Sequence, residues 1–230
     1  MSRSILQWIH NFDLFLFDFD GLLVNTEHLH FQAYVNVFAK RGYHLKWSFQ
    51  TFTRIAHIGG SSLQEAICGE FPDLGAIGWE EIYLEKRREY LQLITRGKLE
   101  LMPGVKPLLQ QLEKENIRRC VVTHAMRDQV NLITPFLSIL KTIPYWFTRE
   151  EFGKGKPDPE GYLRAIQLLG KKGDRIIGFE DSVRGLKALA ATPALPVLIC
   201  EPHYPHLNTI LQEHKGAKHF PSLDLIHSLP

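Results

Sequence analysis

With 230 residues, of which 44% are hydrophobic, the chain is long enough for one full domain, a smaller second module and a substantial buried core. Its formal net charge of +2, with 23% charged residues, gives no electrostatic basis for a nucleic-acid-binding or membrane-binding surface, so we expect small molecules as partners. The sequence begins without a signal-peptide pattern and contains no run of about 20 apolar residues. We therefore expect a soluble, cytoplasmic protein that is a monomer or a weak dimer.

The predicted elements begin with a strand at 14–17, in the segment LFLF. It is followed by helical patterns at 27–40, 62–70 and 79–95, with no convincing strand between them. After these, strands and helices alternate, with helices predicted at 105–115 and 127–137 and further strands at 118–122, 143–147, 175–179 and 196–200. The tail after residue 201 predicts one helix, a short edge strand and a final helical turn. This alternation is typical of an α/β fold with a mostly parallel sheet and helices on both faces.

The three consecutive helices predict an all-helical insert at 23–99, which divides an α/β core into residues 1–22 and 100–230. The segment RGKLELMPG at 96–104 is the predicted return linker, because Pro103 and Gly104 break regular structure. Within the insert, the charged run EKRRE at 85–89 is typical of a solvated helix face.

The cysteines and histidines do not predict a disulfide framework or a zinc site. The three cysteines are far apart in the chain and none belongs to a CxxC motif, which favours reduced packing residues. His28 and His30 are two positions apart in a helical pattern and so point in different directions, and the sequence has no HExxH motif. A metal site built from histidines is therefore not expected.

Polar side chains stand at or near the carboxyl ends of the predicted strands, where open α/β sheets bind their ligands. They are two acids after the first strand, a hydroxyl after the second, an amine in the segment GKGKPDP, and an acid pair after the fourth strand. In chain order these residues are Asp18, Asp20, Thr123, Lys156, Glu180 and Asp181. This combination is hard to explain by structural roles alone.

Clustered carboxylates repel one another unless a cation neutralises them, and a small set of hard oxygen ligands suits Mg²⁺. Asp18, Asp181 and Glu180 are therefore candidates to share one magnesium ion. Thr123 is expected to hydrogen-bond a phosphoryl oxygen while Lys156 neutralises its charge, which stabilises a phosphoryl group in transfer.

The two aspartates of the segment DFDG are expected to have different catalytic roles. The two side chains stand two positions apart at the end of a strand, so Asp18 is the candidate to aim at phosphorus as nucleophile while Asp20 turns away. Asp20 is the candidate proton carrier, which protonates the leaving oxygen and then activates water against the aspartyl-phosphate. The sequence therefore predicts phosphoryl transfer in two steps.

The segments DFDGLLVNTE, Thr123, Lys156 in GKGKPDP, and GFEDSVRG resemble, in this order, the four motifs of the haloacid dehalogenase superfamily. The likeness is strongest to its phosphatase and β-phosphoglucomutase-like branch and covers nearly the whole chain. It implies a Rossmann-like core, a Mg²⁺ ion held by Asp18, the backbone carbonyl of Asp20 and Asp181, and a phosphorylated intermediate on Asp18. It also implies that the helical insert is a cap domain, which selects the substrate and excludes water. The presence of Asp20 favours phosphoryl transfer over dehalogenation.

The sequence departs from this pattern at several positions. The second motif reads Thr123-His124-Ala125, where the branch usually has Asn and Ser after the first residue. His30 stands where sugar-phosphate members have a histidine, and HIGGSS at 57–62 resembles their glycine-containing substrate loop. His30, Gly59 and His124 are therefore the candidate substrate-binding residues. Ser62 replaces the arginine that holds a second phosphate in phosphoglucomutases, which weakens the mutase interpretation.

Several of these residues also have an alternative interpretation as structural residues. Thr123 is also a candidate N-cap for the helix at 127–137, and Glu180 is equally a candidate to orient Asp181 or Lys156 without touching the metal. His30 is also typical of a histidine on a helix surface or of a hydrogen-bonded histidine in the core. His124 is also typical of a side chain that only fills space, and Gly59 is also typical of a plain turn.

The combined interpretation is a Mg²⁺-dependent phosphatase that acts on a small phosphorylated metabolite, and a sugar phosphate is the expected substrate class. A phosphomutase of the β-phosphoglucomutase type is the nearest alternative. A regulatory protein that binds metal and phosphate without turnover is a more distant one.

Overall fold

The computed structural model describes residues 6–205 and 207–230. The chain forms two compact units. The first, here called the core unit, contains the residues up to Asn25 together with Glu100–Pro230, and the second, the helical unit, is Thr26–Leu99. The helical unit begins three residues later than the predicted insert and ends at the predicted residue.

The helical unit contains four α-helices. They are α1 (Glu27–Lys40), α2 (Phe49–Ala56), α3 (Gly60–Glu70) and α4 (Trp79–Arg96). Buried apolar side chains from all four form one cluster, in which Phe38 of α1, Phe52 of α2 and Ile82 of α4 take part. The predicted helices at 27–40, 62–70 and 79–95 are confirmed, whereas α2 was not predicted.

The EKRRE run lies on α4, and its prediction as a solvated face is wrong for two of its residues. Lys86 and Glu89 are buried, at 7% and 9% exposure. Glu89 accepts hydrogen bonds from Asn36 at 2.7 Å and Lys40 at 2.5 Å, both on α1. The charged side chain is tolerated there because its partners replace the water that it loses.

A six-stranded parallel sheet forms the centre of the core unit within the described residues. Its strands are β1 (Leu14–Phe17), β2 (Arg118–Val122), β3 (Tyr145–Phe147), β4 (Ile176–Glu180), β5 (Leu195–Ile199) and β6 (Lys218–Phe220). Their spatial order is β3-β2-β1-β4-β5-β6, and every neighbouring pair is parallel. The predicted α/β class with a parallel sheet is therefore confirmed.

Strand β1 lies in the middle of this sheet because all four of its side chains are apolar and buried. Phe17 pairs in register with Val121 on one side and with Phe179 on the other. The rings of Phe17 and Phe179 stack with their centroids 5.3 Å apart. This register aligns the carboxyl ends of β1, β2 and β4.

The core unit also carries α5 (Val105–Lys114), α6 (Arg127–Ile133), α7 (Glu160–Leu169), α8 (Val183–Ala190) and α9 (Leu207–Glu213). Tyr162 of α7 and Leu189 of α8 belong to the same buried cluster as Leu14 and Leu16 of β1. After α9 come β6 and a 3₁₀ turn at Leu223–Leu225, so the predicted order of elements in the tail is confirmed.

None of the helices in the described part of the chain combines the length and the apolar character that a membrane span requires. The expected cytoplasmic location and the monomeric or weakly dimeric state stay predictions.

Candidate active site

The candidate site is built at the carboxyl ends of the three central strands of the core unit. Asp18 follows β1 and Thr123 follows β2, while Glu180 is the last residue of β4. The backbone N–H of Asp18 donates to Phe179 O at 3.0 Å, and that of Thr123 donates to Phe147 O at 2.9 Å. Because the strand ladder continues through Asp18 and Thr123, the sheet fixes their backbones at one edge.

Lys156 brings two of the strand-end carboxylates together. Its Nζ lies 2.6 Å from Glu180 Oε1, donates to Asp18 Oδ1, and donates to the carbonyl of Val122 at 3.0 Å. The Lys156 side chain is only 6% exposed. Burial disfavours the charged ammonium, but the attraction of Asp18 and Glu180 outweighs it and raises the pKa of Lys156 above its usual value. Lys156 is therefore a buried cation held between two acids.

The acids of the site carry more charge than one lysine neutralises. Burial raises the pKa of Asp18 to about 7 against the opposing effect of Lys156, and the charges of Glu180 and Asp20 raise it further. Asp18, Glu180 and Asp181 are all buried. A second source of positive charge is needed to offset the negative charge that these buried carboxylates bring together.

The donor set at this point fits a hard divalent cation. Asp18, Glu180 and Asp181 each offer a carboxylate oxygen, and the three oxygens lie within 4.8 Å of one another. Oxygen ligands in small number, with excess negative charge, are what Mg²⁺ prefers. Their predicted roles as metal ligands stay predictions, as does the part of the Asp20 carbonyl.

The carboxyl group of Glu180 is held by its surroundings as well as by Lys156. The hydroxyl of buried Tyr162 donates to Glu180 Oε1. Its Oε2 lies against Gly185 of α8, where an added Cβ would approach it to 1.9 Å. Oε2 is buried and has no hydrogen-bond partner among the described residues. These contacts favour the alternative in which Glu180 orients Lys156.

Asp20 lies in the turn that follows β1. Gly21 adopts the left-handed region, with φ of 81°, and its N–H donates to Val24 O at 2.9 Å, which closes the turn. The side-chain Nε2 of Gln129, on α6, lies 3.0 and 2.9 Å from the two carboxylate oxygens of Asp20. The predicted proton carrier is therefore held by a side-chain amide.

Thr123 is buried, and its Oγ1 accepts from the backbone N–H of Ala125 at 2.9 Å. The N-cap position of α6 is Met126, without a side-chain cap, so the N-cap alternative for Thr123 is wrong. Helix α6 also ends at Ile133 and not at the predicted residue 137. Pro135 explains this difference, because it has no N–H to continue the helix. The phosphate contact of Thr123 stays a prediction.

His124 faces the loop that carries Lys156. Its Nε2 accepts from the backbone N–H of Lys156 at 2.6 Å. Burial, together with the charges of Lys156, Arg184 and Arg149, lowers the pKa of His124 to about 2. The imidazole is therefore neutral and carries its proton on Nδ1. Its predicted contact with substrate stays a prediction.

His30 and Gly59 lie in the helical unit. His30 Nδ1 is 2.5 Å from Lys86 Nζ, and its ring stacks on Tyr90 with centroids 3.9 Å apart. Gly59 precedes α3 in extended backbone, with φ of 166°. An added Cβ there meets only Ser61 Oγ, at 4.0 Å, so sterics do not require a glycine. Substrate binding by His30 and Gly59 stays a prediction.

Two residues of the site were not predicted from the sequence. Gln129 had no signal, because a glutamine in a helical pattern is typical of a surface position. Tyr162 lies on the apolar face of α7, where periodicity indicates only packing. Their roles depend on partners 109 and 18 positions away.

The chain is similar in sequence to known proteins of one family. The sequence model of the haloacid dehalogenase-like hydrolases matches residues 12–192. Protein CbbY of Rhodobacter capsulatus is 29% identical over 199 residues, which cover 82% of this chain and 85% of that protein. The 2-deoxyglucose-6-phosphate phosphatase 1 of Saccharomyces cerevisiae is 30% identical over 202 residues, which cover 80% of this chain and 78% of that protein.

Among solved structures, CbbY from Rhodobacter sphaeroides in complex with phosphate superposes with a TM-score of 0.75 at 22% sequence identity. The superposition covers 95% of this chain and 97% of that chain, and at this identity it shows the fold alone. The resemblance inferred from the four motifs is confirmed by the family match.

Proposed function

Because the chain belongs to the haloacid dehalogenase-like hydrolases, we propose that it is a Mg²⁺-dependent phosphatase that hydrolyses a small phosphomonoester. The observation that carries the proposal is the buried contact of Lys156 with Asp18 and Glu180, beside Asp181. A sugar phosphate is the proposed substrate class. It is supported by the yeast relative, whose name describes a phosphatase of 2-deoxyglucose 6-phosphate.

In the proposed first step, Asp18 attacks phosphorus. Its Oδ1 is engaged by Lys156, so Oδ2 forms the new bond to phosphorus while the bond from phosphorus to the leaving oxygen breaks. Asp20 donates its proton to that oxygen, and the alcohol departs. The phosphoryl group is then carried by Asp18 as an acyl phosphate.

In the proposed second step, Asp20, now ionised, removes a proton from water as the water attacks phosphorus. The bond between phosphorus and Asp18 breaks, inorganic phosphate leaves, and both aspartates return to their starting states. Gln129 supports both steps, because its amide holds the carboxyl group of Asp20 in one place.

Lys156 and the proposed metal ion both supply positive charge to the site. Lys156 is held by Asp18, Glu180 and the Val122 carbonyl, so its charge is already in place when the phosphoryl group arrives. Thr123 is the proposed donor to a phosphoryl oxygen. The residues proposed to hold Mg²⁺ are Asp18, the carbonyl of Asp20, and Asp181. When bound, Mg²⁺ would supply positive charge that offsets the negative charge of Asp18 and Asp181 and of the phosphoryl oxygens.

The experiment that tests the proposal is phosphate release from p-nitrophenyl phosphate and a panel of sugar phosphates, with Mg²⁺ and with EDTA. We expect release that depends on Mg²⁺ and a loss in kcat on the order of 10³-fold or more for Asp18→Asn. Asp73→Asn is the matched control, because Asp73 is an exposed acid of the helical unit, and it should keep wild-type activity.

Three outcomes would contradict the proposal. Isomer interconversion without net phosphate release would identify a phosphomutase. Metal binding without turnover on any substrate of the panel would identify a regulatory protein. Equal activity of Asp18→Asn and wild type would exclude Asp18 as the nucleophile.

A further inference from the structure

His124 stands at a position where the sequence departs from its family, and its side chain contacts the loop that carries Lys156. The imidazole Nε2 accepts from the backbone N–H of Lys156 at 2.6 Å. The side chain of the same lysine contacts Asp18 and Glu180. From this geometry we propose that His124 is a positioning residue, which fixes the backbone of Lys156 so that its ammonium meets the two acids.

The loop at 153–156 is held by side chains along its length. Glu160 accepts from the N–H groups of Gly153 and Lys154, at 2.7 and 2.8 Å. Arg149 donates to the carbonyls of Phe152 and Gly153, at 2.6 and 3.2 Å. These contacts fix the start of the loop, and His124 fixes the N–H of the functional lysine itself.

The imidazole of His124 packs against Gly155, the residue before Lys156, and this contact explains why position 155 is a glycine. A Cβ added to Gly155 would lie 2.6 Å from His124 Nε2 and 2.9 Å from Cε1. A Cβ atom essentially never comes within 3.0 Å of an atom outside its own residue and chain neighbours, so alanine would push the ring or the loop away. His124 and Gly155 therefore fit one another as a pair.

The charge state of His124 suits this role. An imidazole accepts a hydrogen bond at Nε2 only while it is neutral, since both ring nitrogens donate when it is protonated. Burial and the nearby positive charges hold the pKa of His124 far below its usual range. The ring therefore remains an acceptor near neutral pH, and it adds no positive charge next to Lys156.

This inference rests on the proposed function, because it assigns His124 a role towards the lysine of the proposed active site. Its test uses two substitutions of His124 by residues of similar size. His124→Gln keeps an acceptor at the reach of Nε2, whereas His124→Leu removes it. We expect His124→Leu to lower kcat/KM roughly 10- to 100-fold, since a displacement of about 1 Å in a catalytic group has an effect of this order. The loss should be the same factor for p-nitrophenyl phosphate and for every sugar phosphate hydrolysed. His124→Gln should recover most of it.

A double-substitution cycle tests the fit to Gly155. Gly155→Ala alone should reduce activity, because its Cβ collides with the ring. Gly155→Ala combined with His124→Ala should be no worse than His124→Ala, because the collision is gone. Additive losses would show that the two positions act independently and would overturn the proposal.

Crystal structures of the Leu and Gln variants give a readout that does not depend on turnover. We expect Lys156 Nζ to leave Asp18 and Glu180 in His124→Leu and to remain with them in His124→Gln. An unmoved Lys156 in His124→Leu overturns the inference, as does a loss confined to KM and different for each substrate, which would indicate direct substrate contact. An inactive wild-type protein would instead contradict the proposed function, and the crystal structures would still decide the role of His124.

Discussion

The side-chain amide of Gln129 donates to both carboxylate oxygens of Asp20, at 3.0 and 2.9 Å. The two residues are 109 positions apart and come from the turn after β1 and from α6. A hydrogen bond to a carboxyl group fixes its direction. Gln129 is therefore the residue that orients the proposed proton carrier.

Replacement of Gln129 should affect turnover more than folding. We expect Gln129→Leu to lower kcat about tenfold, because hydrogen bonds to charged groups contribute roughly 1.5 kcal/mol or more. Gln129→Glu should be worse, because it sets a second negative charge against Asp20. Steady-state kinetics with p-nitrophenyl phosphate measures both variants. Wild-type kcat in Gln129→Leu would exclude an orienting role.

Asp20→Asn should separate the two chemical steps. The p-nitrophenolate leaving group needs no proton, so the variant should still form the acyl phosphate and release about one equivalent of p-nitrophenolate per site in a rapid burst. Later turnover should be slower by roughly 10²- to 10⁴-fold, because general-base activation of water is lost. Sugar phosphates should give no burst, because their leaving oxygen requires the proton.

Stopped-flow absorbance and rapid-quench analysis detect these phases. The matched control is Asp18→Asn, which should show neither burst nor turnover. A burst in Asp18→Asn, or its absence in Asp20→Asn with wild-type steady-state rates, would contradict the assigned roles.

Gly185→Ala should destabilise the protein and reduce activity together. Alanine normally stabilises a helix relative to glycine by roughly 0.5–1 kcal/mol. Here its Cβ would approach Glu180 Oε2 to 1.9 Å, so the carboxyl group must move from its place beside Lys156. We expect a loss of stability of about 1–3 kcal/mol, which is typical of overpacking a buried site.

Gly69→Ala is the matched control, because Gly69 is also helical and a Cβ there meets nothing within 4 Å. It should leave activity unchanged and stabilise the protein slightly. Urea unfolding measures the free energy of unfolding of both variants. Equal changes in stability in Gly185→Ala and Gly69→Ala would show that the space at Gly185 is not required.

The Arg118–Asp174 pair predicts a stability that depends on pH. Arg118 donates to both oxygens of Asp174 at 2.7 Å, and these hydrogen bonds hold the pKa of Asp174 below its usual value. A carboxyl group whose pKa is lower when folded stabilises above its unfolded pKa of about 3.9, and this stabilisation is lost as the pH falls through the folded value. Asp174→Asn should therefore cost about 1 kcal/mol at pH 7, a modest value because Arg118 is partly exposed.

Urea unfolding between pH 7 and the lowest pH at which wild type is folded measures this difference, which should shrink below about pH 4. Asp73→Asn serves as the control for an exposed acid. A difference that is constant with pH would indicate that the charge of Asp174 contributes nothing.

Most of the sheet was predictable because strands β1 to β5 are short segments rich in apolar residues such as Phe, Val, Ile and Leu. The four residues of β1 are all buried, as a continuous apolar run in a parallel sheet indicates. The positions of Asp18, Thr123 and Glu180 follow from this, because they stand where such runs end. That these three residues lie close together could therefore be predicted from the strand ends alone, without knowledge of side-chain contacts.

Other features depended on contacts that a single sequence does not contain. Helix α2, Phe49–Ala56, is rich in aromatic and β-branched residues that weaken a helical pattern, although Ser48 caps it by accepting from Thr51 N at 3.1 Å. The run EKRRE indicated exposure, yet two of its residues are buried against α1 partners or rings. Gln129 and Tyr162 acquire their roles only from residues that folding brings to them.

Strand β1 has neighbours on both sides, whereas β3 and β6 are the edges of the sheet. The amide protons of Leu16 and Phe17 should therefore exchange with deuterium only when the whole core unit unfolds, while fraying of the edges exposes only peripheral amides. Asp18 continues this interior strand. Local breathing of the sheet thus leaves the backbone of the proposed nucleophile in place, so the reactive geometry persists for as long as the native state does.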